Sequence, residues 1–263
     1  MYSKEHLKYI KKIKINNIFI HVFQLIIILF FLLFWQYLAD EEIINTFIFS
    51  SPKNCLNTLI NLYQKNNLFN HIYITFYETV LSFLVGTIIG ILIASILWWN
   101  KTLAKILDPY LTILNSLPKV ALGPIIIIWA GASMKSIIIM ALLISVIITT
   151  MNVYEGFKNI DPIKIKLMNA LNATKRQLYT KLILPGSFNT IISTLKINIS
   201  MSLIGVIMGE FLVSKKGIGY LILYGSQVFN LSLVISGIFI LCIVAALMYY
   251  LVSFIEKKVS RKN

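Results

Sequence analysis

Apolar residues in this chain run in long blocks and do not alternate with polar ones at the period of a water-soluble helix or strand. Ile18–Ala39 carries no formal charge over 22 positions. A hydrocarbon core of ~30 Å takes about 20 residues of helix, so one block predicts one crossing. Further blocks predict crossings at Tyr73–Trp99, Leu111–Trp129, Ser136–Tyr154, Ile191–Val213 and Leu231–Ile255. The uncharged run Gly217–Ile255, 39 positions long, exceeds one span. Gly225-Ser226-Gln227 and Asn230 divide it, leaving Gly217–Phe229 as a partly buried connection on the outer side. The pattern therefore predicts an all-α, polytopic membrane protein with six transmembrane helices.

Composition agrees with that reading. Hydrophobic residues make up 58% and charged residues 13%, against about 45–50% and about 25% in soluble domains. Mean hydropathy is +0.81. Too few charges remain to cover a water-facing surface, which excludes a soluble enzyme, a disordered chain and a coiled coil. Cys55 and Cys242 stand far apart and predict neither a disulfide nor a metal site.

The net charge of +14 acquires meaning once it is mapped onto the spans. Lys4, Lys8, Lys11, Lys12 and Lys14 precede the first block, as in a signal peptide. That block is too long, however, and Tyr37-Leu38-Ala39 is no small-x-small cleavage site, so an uncleaved first helix is expected. With residues 1–17 as a basic cytoplasmic N-terminus and 256–263 as a basic cytoplasmic C-terminus, 17 Lys and Arg fall inside and 5 outside. Lys119 and Lys196 lie within or beside spans and are not counted. Basic loops stay in the cytoplasm, so both termini of this cell-membrane protein are expected there. The charge is mostly topological, and no nucleic-acid partner is needed to explain it.

Two segments outside the spans have structure of their own. Ser51-Pro52 forms an N-cap and first-turn proline pair, predicting a short interfacial helix to Gln64 with Cys55, Leu56, Leu59, Ile60 and Tyr63 on one face. The longest internal loop, 155–187, contains a second such pair, Asp161-Pro162, which opens a helix through Leu171. Ile163, Leu167, Met168 and Leu171 share a face there, while Lys164, Lys166 and Asn169 point away. Asn172 suits a left-handed cap, and Thr174-Lys175-Arg176-Gln177 is a capping box. A second helix, with Leu178, Tyr179, Leu182 and Ile183 on one face, is expected to stop at Leu184-Pro185. Three readings fit such a helix-turn-helix: packing against its own membrane domain, reading DNA, or docking a cytoplasmic partner. Spans on both sides hold it against the bilayer, which disfavours DNA, and docking accounts best for a basic loop of this size.

From Asp161 to Pro185 the loop resembles the EAA loop of binding-protein-dependent ABC transporter permeases. Asn172-Ala173-Thr174 stands where that family has Gly-Ala-Ser, and Leu184-Pro185 follows at the family interval. Thr75-Phe76-Tyr77-Glu78, Leu117-Pro118-Lys119-Val120-Ala121-Leu122-Gly123-Pro124-Ile125, Gly209-Glu210 and Gly217-Ile218-Gly219-Tyr220 resemble the nitrate/sulfonate/taurine-type subfamily in the same order. The resemblance covers about Phe49 to Ile255 and implies a type I ABC importer permease fold. It also implies a cytoplasmic ABC ATPase, an extracytoplasmic solute-binding protein, a permease homodimer, and a small solute of the sulfonate, nitrate, taurine or thiamin-precursor class. It further assigns ATPase coupling to Asp161, Pro162, Leu167, Met168, Leu171, Asn172, Ala173, Thr174, Leu178, Leu182 and Pro185. Lys166-Leu167-Met168 replaces the family's Glu-Ala-Ala. The missing glutamate implies coupling by shape and apolar contact, or a partner changed to match.

No G-x-x-x-x-G-K-[ST] pattern is present, so nucleotide is expected on the partner and no cofactor on this chain. There is also no H-E-x-x-H, no G-x-S-x-G and, within the spans, no closely spaced acid pair, so no catalytic residues are assigned and an intramembrane enzyme is disfavoured. A channel or ion-coupled secondary transporter remains the alternative; it would need no docking loop and more often has internal repeats. Ionisable residues within spans are costly and face a bundle interior or cavity. Glu78, Lys119 and Glu210 are therefore candidates for the translocation path, with Pro118 and Pro124 as kink sites that either gate the path or only shape the bundle. Each charge has a plainer reading: Lys119 snorkelling, Glu210 pairing with Lys215 and Lys216, and Glu78 capping its helix or pairing with Lys135.

Overall fold

The computed structural model describes residues 4–65 and 67–260. Arg261 and Lys262, expected in the basic C-terminus, lie outside the described residues, as do the first three positions of the N-terminus. In chain order the helices are α1 (Lys4–Asp40), α2 (Thr46–Phe49), α3 (Pro52–Gln64), α4 (Leu68–Trp99), α5 (Lys101–Ser116), α6 (Gly123–Ala130), α7 (Met134–Lys158), α8 (Pro162–Ala170), α9 (Lys175–Leu178), α10 (Leu184–Gly186), α11 (Phe188–Val213), α12 (Ile218–Gln227) and α13 (Leu231–Ser260). No strand occurs among the described residues. Five helices (α1, α4, α7, α11 and α13) are long and apolar enough to cross a membrane, and α5 with α6 makes a sixth if the pair counts as one span.

α7 occupies the centre and packs along both α4 and α11. The reason lies in residue size. α4 buries Thr75, Thr79, Ser82, Gly86 and Gly90 on one face, at the three- and four-residue spacing that lines up side chains on a helix. A Cβ built on Gly86 would lie 2.1 Å from Ser145 Oγ, and one built on Gly205 would lie 2.5 Å from the Cα of Ala141. Small residues thus let the three backbones touch. This is how helices associate where lipid is as apolar as leucine and burial offers no driving force. The large apolar side chains instead cover the outside, as on Phe30, Leu92 and Leu247.

α1 stands apart. It meets the bundle near its C-terminal end, where Trp35 stacks on Phe239 and Gln36 Oε1 accepts the Lys53 N–H at 3.0 Å. α3 begins at the expected cap, with Ser51 Oγ accepting the Asn54 N–H at 3.2 Å. Only Cys55 of its apolar face is buried, and Leu56, Ile60 and Tyr63 remain exposed. α12 fills the expected connection, with Ile218, Gly219, Leu221 and Gly225 buried.

The expected span Leu111–Trp129 is not one helix. α5 ends at Ser116, a tight turn covers Lys119–Leu122, and α6 leaves at 88° to α5. Leu117 is extended at φ −63°, ψ 137°, the conformation that a following proline imposes. Pro118 therefore breaks the span. Pro124 bends nothing: it sits in the first turn of α6, where its missing N–H has no helical partner to lose.

Candidate functional site

The bundle has two differently built ends. One carries the loop between α7 and α11, and the other carries α12. At the loop end each turn is closed as the side chains dictate. Asp161 Oδ1 accepts the Ile163 N–H at 2.8 Å. Asn172 adopts φ 55°, with its N–H donating to Asn169 O and the Ala173 N–H to Met168 O, each at 3.0 Å, the paired bonds of a left-handed helix cap. The Thr174 N–H donates to Gln177 Oε1 at 2.8 Å, and the Gln177 N–H returns to Thr174 Oγ1 at 3.3 Å, which is the capping box.

The second helix does not stop at Leu184-Pro185. After α9 the chain takes one wide turn through Tyr179–Ile183, in which the Leu184 N–H reaches back to Tyr179 O. It then continues helically through Pro185 to Gly186. A wide turn shifts the preceding carbonyls away from the pyrrolidine ring, so the proline no longer clashes. Ser187 Oγ then donates to Gly156 O at 3.0 Å and pins the loop to α7.

An apolar cluster seats this protrusion on the bundle. Ile183, Phe157, Val153 and Ala94 are buried together, with Ile165, Leu178 and Tyr179 packed around them. The Tyr179 ring lies 5.1 Å from Trp98, 5.4 Å from Trp99 and 5.8 Å from Phe157, and its hydroxyl meets Ser95 Oγ at 2.7 Å. The other face of α8 is unpartnered: Ile163, Leu167 and Leu171 are 74%, 60% and 70% exposed. Of the remaining predicted coupling residues, Asp161, Pro162, Asn172, Thr174 and Pro185 are exposed, and Met168, Ala173, Leu178 and Leu182 are half-buried.

At the α12 end the fixing groups are polar. Glu210, 0% exposed, accepts the Thr75 hydroxyl on Oε1 at 2.6 Å and the Gly219 N–H on Oε2 at 2.6 Å. Thr75 Oγ1 in turn accepts the Ile218 N–H at 2.8 Å, and His71 Nδ1 accepts the Gly217 N–H at 2.9 Å. Gly217 sits at φ 106°, and a Cβ there would lie 2.3 Å from the Glu210 carboxyl carbon. Glycine is thus required both by the conformation and by the close approach. One carboxylate and one hydroxyl tie together α4, α11 and α12.

Glu78 lies beside this knot, 2% exposed, with its carboxyl against that of Glu210 and with Oε2 lacking a hydrogen-bond partner. It lines a cleft of about 610 Å³ together with Ser133, Ser214, Lys215 and Lys216. The expected alternatives for these acids do not hold among the described residues. Glu210 pairs with neither Lys215 nor Lys216, and Glu78 does not pair with Lys135. Two acids far apart in sequence form a pair that no local motif announces. Lys119 is in neither place: it stands partly exposed at the α5–α6 break, with Nζ donating to Asn115 O at 2.8 Å. Pro118 and Pro124 are exposed in the same segment. Missed from sequence were His71, Thr75, Gly217 and Gly219 as members of the knot, although Thr75 and both glycines fall in the stretches that carried the family resemblance.

The chain is thus a bundle of five or six candidate crossings with a folded protrusion seated at one end. Residues 86–261 match the family of binding-protein-dependent transport system inner membrane components, and the chain belongs to that family. The putative aliphatic sulfonates transport permease protein SsuC of Bacillus subtilis is 26% identical over 85% of this chain and 81% of its own. The formylaminopyrimidine transport permease protein ThiX of Halalkalibacterium halodurans is 28% identical over 73% and 77%. Among solved structures, the inward-facing MetNI methionine ABC transporter has a chain that superposes with a TM-score of 0.63 at 19% identity, covering 76% of this chain and 97% of that one. The fold is that of an ABC importer permease. The chain is a transport subunit and not an enzyme, and its family works with an ATPase and a binding protein.

Proposed function

We propose that this permease admits a small organic solute, of the sulfonate or thiamin-precursor class, and that the α8–α9 protrusion is where its ATPase drives it. The observation that carries the reading is the exposed row Ile163, Leu167 and Leu171 on a protrusion whose opposite face is firmly seated. Exposed apolar rows on rigid supports mark protein contacts, and no acidic residue stands in this row. Docking by shape and apolar contact accounts for the loss of the family glutamate at Lys166. The protrusion and both termini then face the cytoplasm, in keeping with the lysine distribution.

Two copies of the chain form the pore. The break at Leu117-Pro118 leaves irregular backbone beside exposed apolar residues, with Ile128 and Trp129 79% and 82% exposed. Irregular backbone at membrane depth is tolerated only against protein or water, and a second copy supplies that cover. Glu78 and the cleft it lines with Lys215 and Lys216 form the outer part of the path, and Pro118, Lys119 and Pro124 shape its wall. The knot at Glu210 sets where α12 stands. The substrate class follows the relatives named for aliphatic sulfonates and formylaminopyrimidine, and the two lysines at the cleft suit an anionic solute.

Replacing Leu171 with Asp tests the coupling role. Uptake driven by ATP is expected to vanish while the protein reaches the membrane in normal amount and the ATPase no longer co-purifies. Wild-type uptake in Leu171→Asp would refute it.

A further inference from the structure

A second cavity, of about 520 Å³, lies between the protrusion and the bundle. We propose that it binds the phosphate of an anionic membrane lipid. Its lining brings together Lys101 from the start of α5, Lys158 from the end of α7 and Lys175 from the start of α9, and it contains no carboxylate. Three ammonium groups from three elements repel one another, and none is paired with an acid among the described residues. The acid that bears on the lining is Asp108, through Tyr154. A phosphate would remove the repulsion.

The lysines are also oriented. Lys158 Nζ lies 5.2 Å from the centre of the Tyr154 ring and Lys175 Nζ lies 5.7 Å from that of Trp99, and Lys175 donates to Trp99 O. Cation–ring contacts of this kind hold an ammonium in place without neutralising it.

A lipid is favoured over a free anion for two reasons. Trp98, Phe157, Ile165 and Leu178 give the cavity an apolar wall that a bare phosphate would leave uncovered and a glycerol backbone would cover. The site also lies at the ends of α4 and α7, beside Trp98 and Trp99, and tryptophans collect at the headgroup level of a bilayer. Basic pockets between membrane helices at this depth take acidic headgroups. Because the wall includes Ile165 and Leu178 of the protrusion and Phe157 of its seat, the lipid would brace the lever against the bundle.

The test uses the transporter purified with its ATPase, washed in detergent and weighed intact by native mass spectrometry with added phosphatidylglycerol. The wild type is expected to retain phosphatidylglycerol, and the exposed double variant Lys101→Gln/Lys158→Gln to lose it by roughly 25-fold, taking each lysine as about fivefold. Lys164→Gln/Lys166→Gln, the same charge change on α8 outside the cavity, is expected to retain it. Equal retention in both double variants, or none in the wild type, overturns the site. Displacement by inorganic phosphate assigns it to a soluble anion and overturns the lipid. Retention is read without transport, so it stands or falls separately from the coupling role of Leu171.

Discussion

The two ends of the bundle are held by opposite means. At the loop end, Ile183, Phe157 and Tyr179 make a seat that is mostly apolar and aromatic contact, flanked by the Tyr179–Ser95 and Ser187–Gly156 hydroxyl bonds. At the α12 end, Glu210, Thr75 and the amides of Ile218 and Gly219 make a knot of directional bonds with almost no room around it. Packing of the first kind resists continuous deformation because dense contacts leave no room for small shifts. Hydrogen bonds of the second kind can exchange partners, and Glu78 stands beside the knot with a carboxylate oxygen already unpartnered. The contrast accords with the docking role proposed for the protrusion, and α7, packed along both α4 and α11, runs from one end to the other.

The comparison can be broken from the knot downwards. Gly217→Val imposes a side chain at φ 106° and drives Cβ into the Glu210 carboxyl. Strain and overpacking together should cost about 4 kcal/mol, read as a lower unfolding temperature in detergent. Thr75→Val keeps shape but leaves Glu210 Oε1 and the Ile218 N–H unpaired, for about 3 kcal/mol. At the other end, Tyr179→Phe removes one hydroxyl bond to Ser95 and should cost only about 1 kcal/mol, because the ring contacts remain. A Tyr179→Phe loss equal to that of Thr75→Val would erase the distinction between the ends. The smallest effect is expected at Lys196, whose half-buried side chain pairs with Glu256; a single ion pair of this kind contributes little, so Lys196→Gln should lower the unfolding temperature by no more than Tyr179→Phe does.

Much of the loop end was legible in sequence because caps are local. Asp161-Pro162, Asn172 and Thr174…Gln177 each act within a few residues, and each forms the predicted bond or backbone conformation. The continuation through Pro185 was not legible, since a proline is tolerated there only after a widened turn whose geometry depends on how Tyr179 and Ile183 pack. The kink in the third crossing was expected from Pro118, but its size, a near right angle, was not. Pro124 showed the opposite limit: the same residue type starts a helix or bends one according to where the helix begins. The Glu78–Glu210 pairing could not be read at all, because nothing local marks two acids on different helices as neighbours.

The sequence by itself determined that this chain lives in a membrane, that its fold is all-α and how the turns of the loop between α7 and α11 are capped. Apolar block length, charge counts and capping bonds depend only on residues near one another in the chain. The tertiary structure alone decided which face of α8 would be left bare, which lysines would gather around a cavity, and that Glu210 would be buried against Thr75 and Gly219. Those outcomes turn on how closely helix backbones approach across the bundle. That distance is set jointly by the small residues of α4, α7 and α11, and no single stretch of sequence contains it.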